Sequence, residues 1–365
     1  MIDPRRQEIL WDRAVGWHEA AHAAAGEGRL DEALALARRA LRGLSGSVGA
    51  SHPDHANAEV TLGRILERRG QSRRALPHYL QAVRALRRLR TREPVVAEMT
   101  VEALLAAASC QQALGRYAEG QRHARAALSL AERRFGAGSV PAAAAHNQIG
   151  VLGKFLGRFS DAERHYALAL PIYRRAFGDR SLEVAALLHN VGGLEHARGR
   201  FARGEPPARE AVEIARERLA AADPERAAHE VAHAGLLDGL GRQRESIPIY
   251  RRALAVFTRR FGREHHEVAS TLQNLAAAEH ALGRRRRAED HYEEACALLR
   301  RVRGAGDPDL ALTQYNLAVL HREAGRPERA LPLLRAALRA LRRRLGTRHP
   351  TTRSCAEALA EIEAT

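Results

Sequence analysis

His18-Glu19-Ala20-Ala21-His22 spells H-E-x-x-H. On a helix that spacing puts two imidazoles on one face, where they can hold zinc while the glutamate activates a metal-bound water. As chemistry, the stretch describes a zinc metallopeptidase with His18 and His22 as ligands and Glu19 as the base. The longer form of the motif requires a glycine and a third histidine downstream, and those positions hold Ala25 and Gly28. His52 and His55 are the nearest spare ligands, and His52 is followed by Pro53 in what reads as a linker. No phosphate-cradling glycine loop and no Ser-His-Asp arrangement is present. The expectation is therefore a chain without catalysis, metal or cofactor, with the peptidase kept as an alternative.

The elements that would position these residues are set by a glycine that returns along almost the whole chain. It stands at Gly28, Gly70, Gly115, Gly157, Gly199, Gly241, Gly283 and Gly325, spaced by 42 residues except for one interval of 45. Such a period marks stacked supersecondary units, each burying its apolar face against the next. Around Gly283, Leu272, Leu275, Ala276, Glu279 and Leu282 follow a helical spacing upstream, and Ala288, Tyr292, Ala295 and Leu299 do so downstream. Glycine closes the first helix by accepting a left-handed backbone, so each unit reads as two antiparallel helices, A and B.

Small residues recur in register. About seven positions before the glycines stand Ala20, Gly63, Ala107, Gly150, Gly192, Ala234, Ala276 and Ala318. Five positions after them come Ala33, Ala75, Gly120, Ala162, Gly204, Ser246, Ala288 and Ala330. Twelve positions after, the residue is alanine in all eight units, from Ala40 to Ala337. Small residues on facing helices let the backbones approach. By this register His18-Glu19-x-x-His22 falls on helix A of the first unit, with Ala20 in a packing position. Helix B ends at Phe135-Gly136, Phe177-Gly178, Phe261-Gly262 and Leu345-Gly346, often after arginine pairs that complement the helix dipole. The 45-residue interval carries three extra residues, expected in a loop around Arg90 to Pro94.

The 365 residues carry a formal charge of +16, and Lys154 is the only lysine among 59 basic residues. So strong a skew to arginine reads as coding bias. Arg284 to Arg287 and the run Arg87, Arg88, Arg90 and Arg92 are the densest basic stretches, and neither interleaves with aromatics that could stack bases. Nucleic-acid binding through arginine-rich faces is the weaker alternative, beyond non-specific attraction at low salt. Cys110, Cys296 and Cys355 are odd in number and far apart, which fits a reducing compartment and no disulfide framework. No stretch has the apolar length of a membrane span, and the opening residues lack a secretory core. The expected location is cytoplasmic.

Leu272-Gln273-Asn274-Leu275-Ala276, Gly283-Arg284, Arg251-Arg252-Ala253-Leu254 and Phe261-Gly262-Arg263-Glu264-His265 together resemble the tetratricopeptide repeat family. The likeness is to the 42-residue form found in kinesin light chains and their bacterial relatives, and it covers about residues 10 to 350. It implies an all-α, right-handed superhelix, a solenoid of about eight helix-turn-helix repeats over residues 1–350. Residues 351–365 then form a C-terminal capping helix. It also implies a scaffold or adaptor that recognises a protein or peptide in its concave groove, lined by helix A. A regulatory or sensor subunit is the alternative within that class.

Carried over by offset from the turn glycine, the family's groove positions fall on Asn147, Gln148 and Lys154, then His189, Asn190 and His196. They resume at Gln273, Asn274 and His280, then Tyr315, Asn316 and Arg322. Amides offer both donors and acceptors, which suits an extended peptide backbone. The Gly241 repeat interrupts the series with Val231, Ala232, Gly235 and Asp238, either an apolar pocket or a degenerate unit. The terminal repeats, with Trp11 and Trp17 at one end, are expected either to cap the array or to bury their faces in a homo-oligomer.

Overall fold

The computed structural model describes residues 4–364 apart from Arg90 and Arg92, so that part of the second basic run lies outside the described residues. Among the described residues there are seventeen α-helices and no strand. The chain divides into two compact units, Met1–Ala176 and Phe177–Thr365. In the first lie α1 (Pro4–Gly26), α2 (Leu30–Ser47), α3 (Pro53–Arg68), α4 (Ser72–Arg88), α5 (Pro94–Ala113), α6 (Tyr117–Phe135), α7 (Val140–Phe155) and α8 (Phe159–Phe177), whose last residue falls past the boundary. The second holds α9 (Leu182–Ala197), α10 (Phe201–Arg218), α11 (Pro224–Gly239), α12 (Gln243–Phe261), α13 (His266–Ala281), α14 (Arg285–Val302), α15 (Pro308–Glu323), α16 (Pro327–Leu345) and α17 (Pro350–Glu363). Each unit thus contains four A–B pairs, and α17 follows the last.

The turns form as the glycines require. All eight have φ between +69° and +81°. In every repeat the residue after the glycine donates its N–H to the carbonyl five positions back at 2.8–2.9 Å, from Arg29 to Ala24 through Arg326 to His321. That bond satisfies a carbonyl the helix end would otherwise leave open. At the start of helix A the orphan N–H groups are taken up by the Ser139, Ser181, Asp223 and Asp307 side chains.

The alanine twelve positions past each glycine is 0–1% exposed in all eight repeats, which makes it the floor of the seam. The position seven before the glycine has a different occupant than small-on-small packing suggests. In the Gly70 repeat a Cβ on Gly63 would lie 2.6 Å from the ring of Tyr79, and a Cβ on Gly150 would strike Tyr166 in the same way. The aromatic ring nine residues past the turn glycine therefore fills the space that the missing side chain leaves. In the first and third repeats the residues at that offset are Ala21 and Ala108, both fully buried, whereas Ala20 is exposed. The register expectation for Ala20 and Ala107 is thus off by one residue.

The arginines at the end of helix B reach further than the dipole argument requires. Arg175 donates to the carbonyl of Gly138 at 2.9 Å, Arg218 to that of Arg180 at 2.9 Å and Arg344 to that of Gly306 at 3.2 Å, each reaching the linker that leads into its own helix A. The three extra residues of the long interval do not sit in a loop. Helix α5 has 20 residues where α3, α7, α9, α11, α13 and α15 have 16, so nearly one added helical turn at its start absorbs them.

Near both ends of the described residues apolar side chains pack within the array, while Ile9 of α1 stands exposed. Thr352, Cys355 and Ala358 of α17 are buried, the last two in one cluster with Leu334, Leu338 and Leu341 of α16. Trp11 and Trp17 pack beside Ala14, Leu44 and Ala58. Trp11 also donates to Asp54 at 2.8 Å, and the Arg39 guanidinium lies 4.0 Å above the Trp17 ring. Cys110, Cys296 and Cys355 are free and buried. Among the described residues no helix is long and apolar enough to cross a membrane.

Candidate functional site

The helix-A residues ten and nine positions before each turn glycine share one face, because the repeats carry the same 16-residue helix in the same register. In the second unit that face shows His189 and Asn190 on α9, Val231 and Ala232 on α11, Gln273 and Asn274 on α13, and Tyr315 and Asn316 on α15. All eight are half-buried. Gln273 accepts from Thr313 at 2.7 Å. Among the described residues Asn274 and Asn316 have no hydrogen-bond partner, so two half-buried amides one repeat apart stand unused. The His189 ring lies edge-on to His229, with centroids 5.1 Å apart.

Three positions before the glycine, the expected site residues are mostly engaged. His280 meets Glu323 at 3.0 Å and Arg322 pairs with Glu361 of α17. His196 is exposed and edge-on to Phe201. Tyr315 packs against the apolar cluster that includes α17. The C-terminal end of the series is therefore tied to α17. In the Gly241 repeat the Asp238 carboxylate accepts from Tyr250 Oη at 2.6 Å and from Ser246, and burial raises its pKa. That repeat offers Val231, Ala232 and the bare Gly235 where its neighbours offer amides.

In the first unit α7 carries Asn147, Gln148 and Lys154, all half-buried. Gln148 donates to Gln112 of α5 at 3.1 Å. The Lys154 ammonium lies 5.1 Å from the Phe155 ring centroid, and burial lowers its pKa. Gln112 and, on α3, Thr61 occupy face offsets that the sequence reading left unassigned; the repeat register alone points to them.

The H-E-x-x-H residues occupy the equivalent face of α1. His18 Nε2 lies 2.8 Å and His22 Nε2 3.2 Å from the same Thr61 hydroxyl, with the two rings 5.5 Å apart. One hydroxyl thus takes the nitrogens that a metal would need. Burial, and then the neighbouring His22, lower the pKa of His18. The two histidines and Glu19 line a cavity of about 430 Å³ with Val15, Leu44, Asp54 and Asn57. Among the described residues no group of three or more His, Cys, Asp or Glu side chains is placed to hold a metal ion. Arg284 to Arg287 are exposed, at the α13–α14 turn and the first turn of α14.

Glycine-closed helical hairpins with a constant alanine seam and a variable helix-A face define a helical-repeat solenoid. The tetratricopeptide repeat profile matches residues 12–88, 100–174, 142–217, 225–301 and 309–365, and the chain belongs to that family. Comparison with curated proteins finds no match. Among solved structures, the quorum sensor NprR from B. thuringiensis is similar at a TM-score of 0.66 and 12% identity, covering 93% of this chain and 89% of that one. The Rap conjugation gene regulator of plasmid pLS20, in complex with the Phr peptide, gives 0.64 and 15%, covering 95% and 99%. BtubC (BKLC) from P. vanneervenii gives 0.51 and 21%, covering 64% and 92%. At these identities the likeness concerns the fold.

Proposed function

We propose that the chain is a protein- or peptide-binding adaptor whose working surface is the helix-A face, with no bond-making step of its own. In the second unit the contact residues are His189, Asn190, His196, Gln273, Asn274, His280, Tyr315, Asn316 and Arg322. In the first unit they are Asn147, Gln148 and Lys154. The observation that carries the reading is the pair of unpartnered, half-buried amides of Asn274 and Asn316 in register on neighbouring repeats. An amide in that state lacks both a full hydration shell and a protein partner, and a peptide backbone supplies the missing donor and acceptor. The face also changes from repeat to repeat while the seam does not, as expected where an outside partner, and not the fold, sets the residues.

Two of the similar structures favour a regulatory version of this reading, since one is a quorum sensor and another a gene regulator bound to a peptide. On that version the ligand would alter contact with an effector encoded elsewhere, in the cytoplasm. The test is affinity capture from native lysate with wild type beside the triple variant Asn190→Ala, Asn274→Ala, Asn316→Ala, both shown folded by circular dichroism. A partner held by wild type and lost by the variant supports the face as the working surface. A partner held equally by both moves the function to the arginine-rich helix-B side or the ends.

A further inference from the structure

The cavity beside His18 and His22 takes no part in the function assigned above. It measures about 430 Å³, within the range of small-ligand sites, and side chains of α1, α2 and α3 line it. The chain carries 58 arginines and a formal charge of +16, yet no arginine stands among the lining residues. The fixed charges on the wall are the carboxylates of Glu19 and Asp54. A protein so basic repels cations in general, and here it encloses a space of the opposite sign.

Glu19 stands nine positions before Gly28. That offset holds Thr61, Ala106, Gln148, Asn190, Ala232, Asn274 and Asn316 in the other repeats, so Glu19 is the one acid of the series. Among the described residues its carboxylate has no hydrogen bond or ion pair, and neither has the Asn57 amide. Asp54 is engaged at one oxygen. Trp11 Nε1 at 2.8 Å and His52 Nδ1 at 3.5 Å both meet Oδ2, and among the described residues nothing meets Oδ1. His18 and His22 are held by the Thr61 hydroxyl, and burial, then His22, keep the His18 pKa low against smaller pulls from Asp54 and Glu19. The rest of the wall is apolar, from Val15 and the buried Leu44. Open acceptors beside an aliphatic wall, with no donor supplied by so many arginines, complement a cation carried on a hydrocarbon stem.

We propose that this cavity binds a primary alkylammonium group, with Glu19 and Asp54 countering its charge, Asn57 as a further acceptor, and Val15 and Leu44 against its stem. Ammonium fits better than guanidinium, because Asp54 has one oxygen to give and cannot receive a two-pronged fork. The ammonium belongs either to a free diamine or to a lysine side chain of a bound chain. The site holds whether or not the amide face of the second unit binds a peptide.

The two tryptophans of the chain supply the reporter. The Trp11 indole N–H is bonded to Asp54, whereas Trp17 lies against Arg39. ¹⁵N-indole spectra, assigned with Trp17→Phe, are recorded with EDTA at fixed ionic strength, and calorimetry is run alongside. The titrants are cadaverine for a free diamine, Nα-acetyl-lysine amide for a side chain, butylguanidinium, and tetramethylammonium as a cation without N–H donors. Cadaverine or the lysine amide should move the Trp11 signal to saturation and leave the Trp17 signal still, and tetramethylammonium should move neither. The tighter of the two amines names the source.

Glu19→Gln and Asp54→Asn should each weaken amine binding about tenfold, since each removes a charge-assisted hydrogen bond. Asp54→Asn keeps an acceptor for Trp11, and Glu19→Gln removes no contact within the protein, so both should fold. Glu8→Gln, exposed on the same helix, is the control and should bind as wild type. A Trp11 signal and a heat trace that neither amine changes overturn the site, as does a shift that tetramethylammonium reproduces. Amine affinity unchanged in both Glu19→Gln and Asp54→Asn overturns it as well. Butylguanidinium binding as tightly as cadaverine overturns the choice of ammonium.

Discussion

Within one helix A, the side turned to the seam and the side turned outward follow different rules. On the seam, the residue seven before the turn glycine is alanine or glycine in every repeat, and it meets helix B. Ten and nine positions before the glycine, the outward pair runs His189-Asn190, Val231-Ala232, Gln273-Asn274 and Tyr315-Asn316 along the second unit. The seam is constant because each repeat solves the same packing problem. The outward face varies because nothing inside the array dictates it. Changes on the seam should therefore act on stability, and changes on the face on binding alone.

The strongest test of that division is Gly150→Val. The Tyr166 ring already occupies the space that a side chain at 150 would need. Overpacking a close-packed interface by that much should destabilise the first unit by about 3 kcal/mol, read by urea unfolding. The second unit places Ala234 beside Tyr250 and Ala276 beside Tyr292, all buried, so a methyl is tolerated there. A wild-type midpoint for Gly150→Val would show that the ring and not the seam is the soft element.

Next in size is Asp238→Ala. It removes the acceptor for Tyr250 Oη, leaving that buried donor unsatisfied, and leaves Ser246 Oγ only the Gln243 carbonyl at 3.3 Å. A loss of about 2 kcal/mol is expected, and Asp238→Asn should recover part of it by offering one acceptor oxygen. If the two variants cost the same, the carboxylate charge and not the acceptor is what the site uses.

Acid should find a different weakness. His146 Nδ1 and His165 Nδ1 lie 2.7 Å apart between α7 and α8, both buried, and share one proton. Burial first, then the His146 charge, hold His165 down at about 4, against a smaller opposing pull from Asp161, with Arg164 and Arg125 also disfavouring protonation. His146 is lowered by burial against the pull of Glu132, with Arg164 adding to the lowering. A histidine kept neutral by folding is protonated in the unfolded chain below pH 6.5. The pair's contribution is therefore whole above that pH and is lost progressively as pH falls toward 4, on the order of 2 kcal/mol. Comparing wild type with His146→Leu/His165→Leu isolates it, since leucine already stands at the first offset as Leu104, Leu188 and Leu272. Parallel pH profiles for the two proteins would defeat the assignment.

Much of this was legible in the sequence because periodicity converts chemistry into position. The eight turn glycines, the alanine twelve residues on and the extent of most helices follow from residue type and spacing. What escaped depends on which offsets meet across the seam. The glycine at 63 or 150 reads as room for another small residue, and only the folded hairpin shows a tyrosine entering from sixteen residues away. The extra residues near Pro94 read as a loop, yet helical propagation is favourable once a helix has begun, and α5 took them up. The half-buried pair Glu59–His78 and the buried pair His146–His165 occupy one pair of offsets, and polar residues there are indistinguishable in sequence from a solvated face. The H-E-x-x-H stretch shows the converse, since a pattern that specifies a metal site in isolation here turns both histidines to Thr61.

The smallest stability effect is the most informative about function. Asn274→Ala with Asn316→Ala removes two half-buried amides that have no partner among the described residues. Neither change opens a cavity, since both side chains stand on the outward face, and neither leaves an orphaned donor behind. Helix propensity favours alanine at both positions. Unfolding should therefore shift by no more than about 0.5 kcal/mol, in either direction. Capture of a peptide ligand should fall by tenfold or more, because each lost amide leaves a peptide backbone group without the bond that offsets its desolvation. A variant that unfolds early would put the asparagines in the seam's service and remove the contrast between the two sides of the helix. A variant that is stable and binds as wild type would keep the contrast and move the ligand off this face.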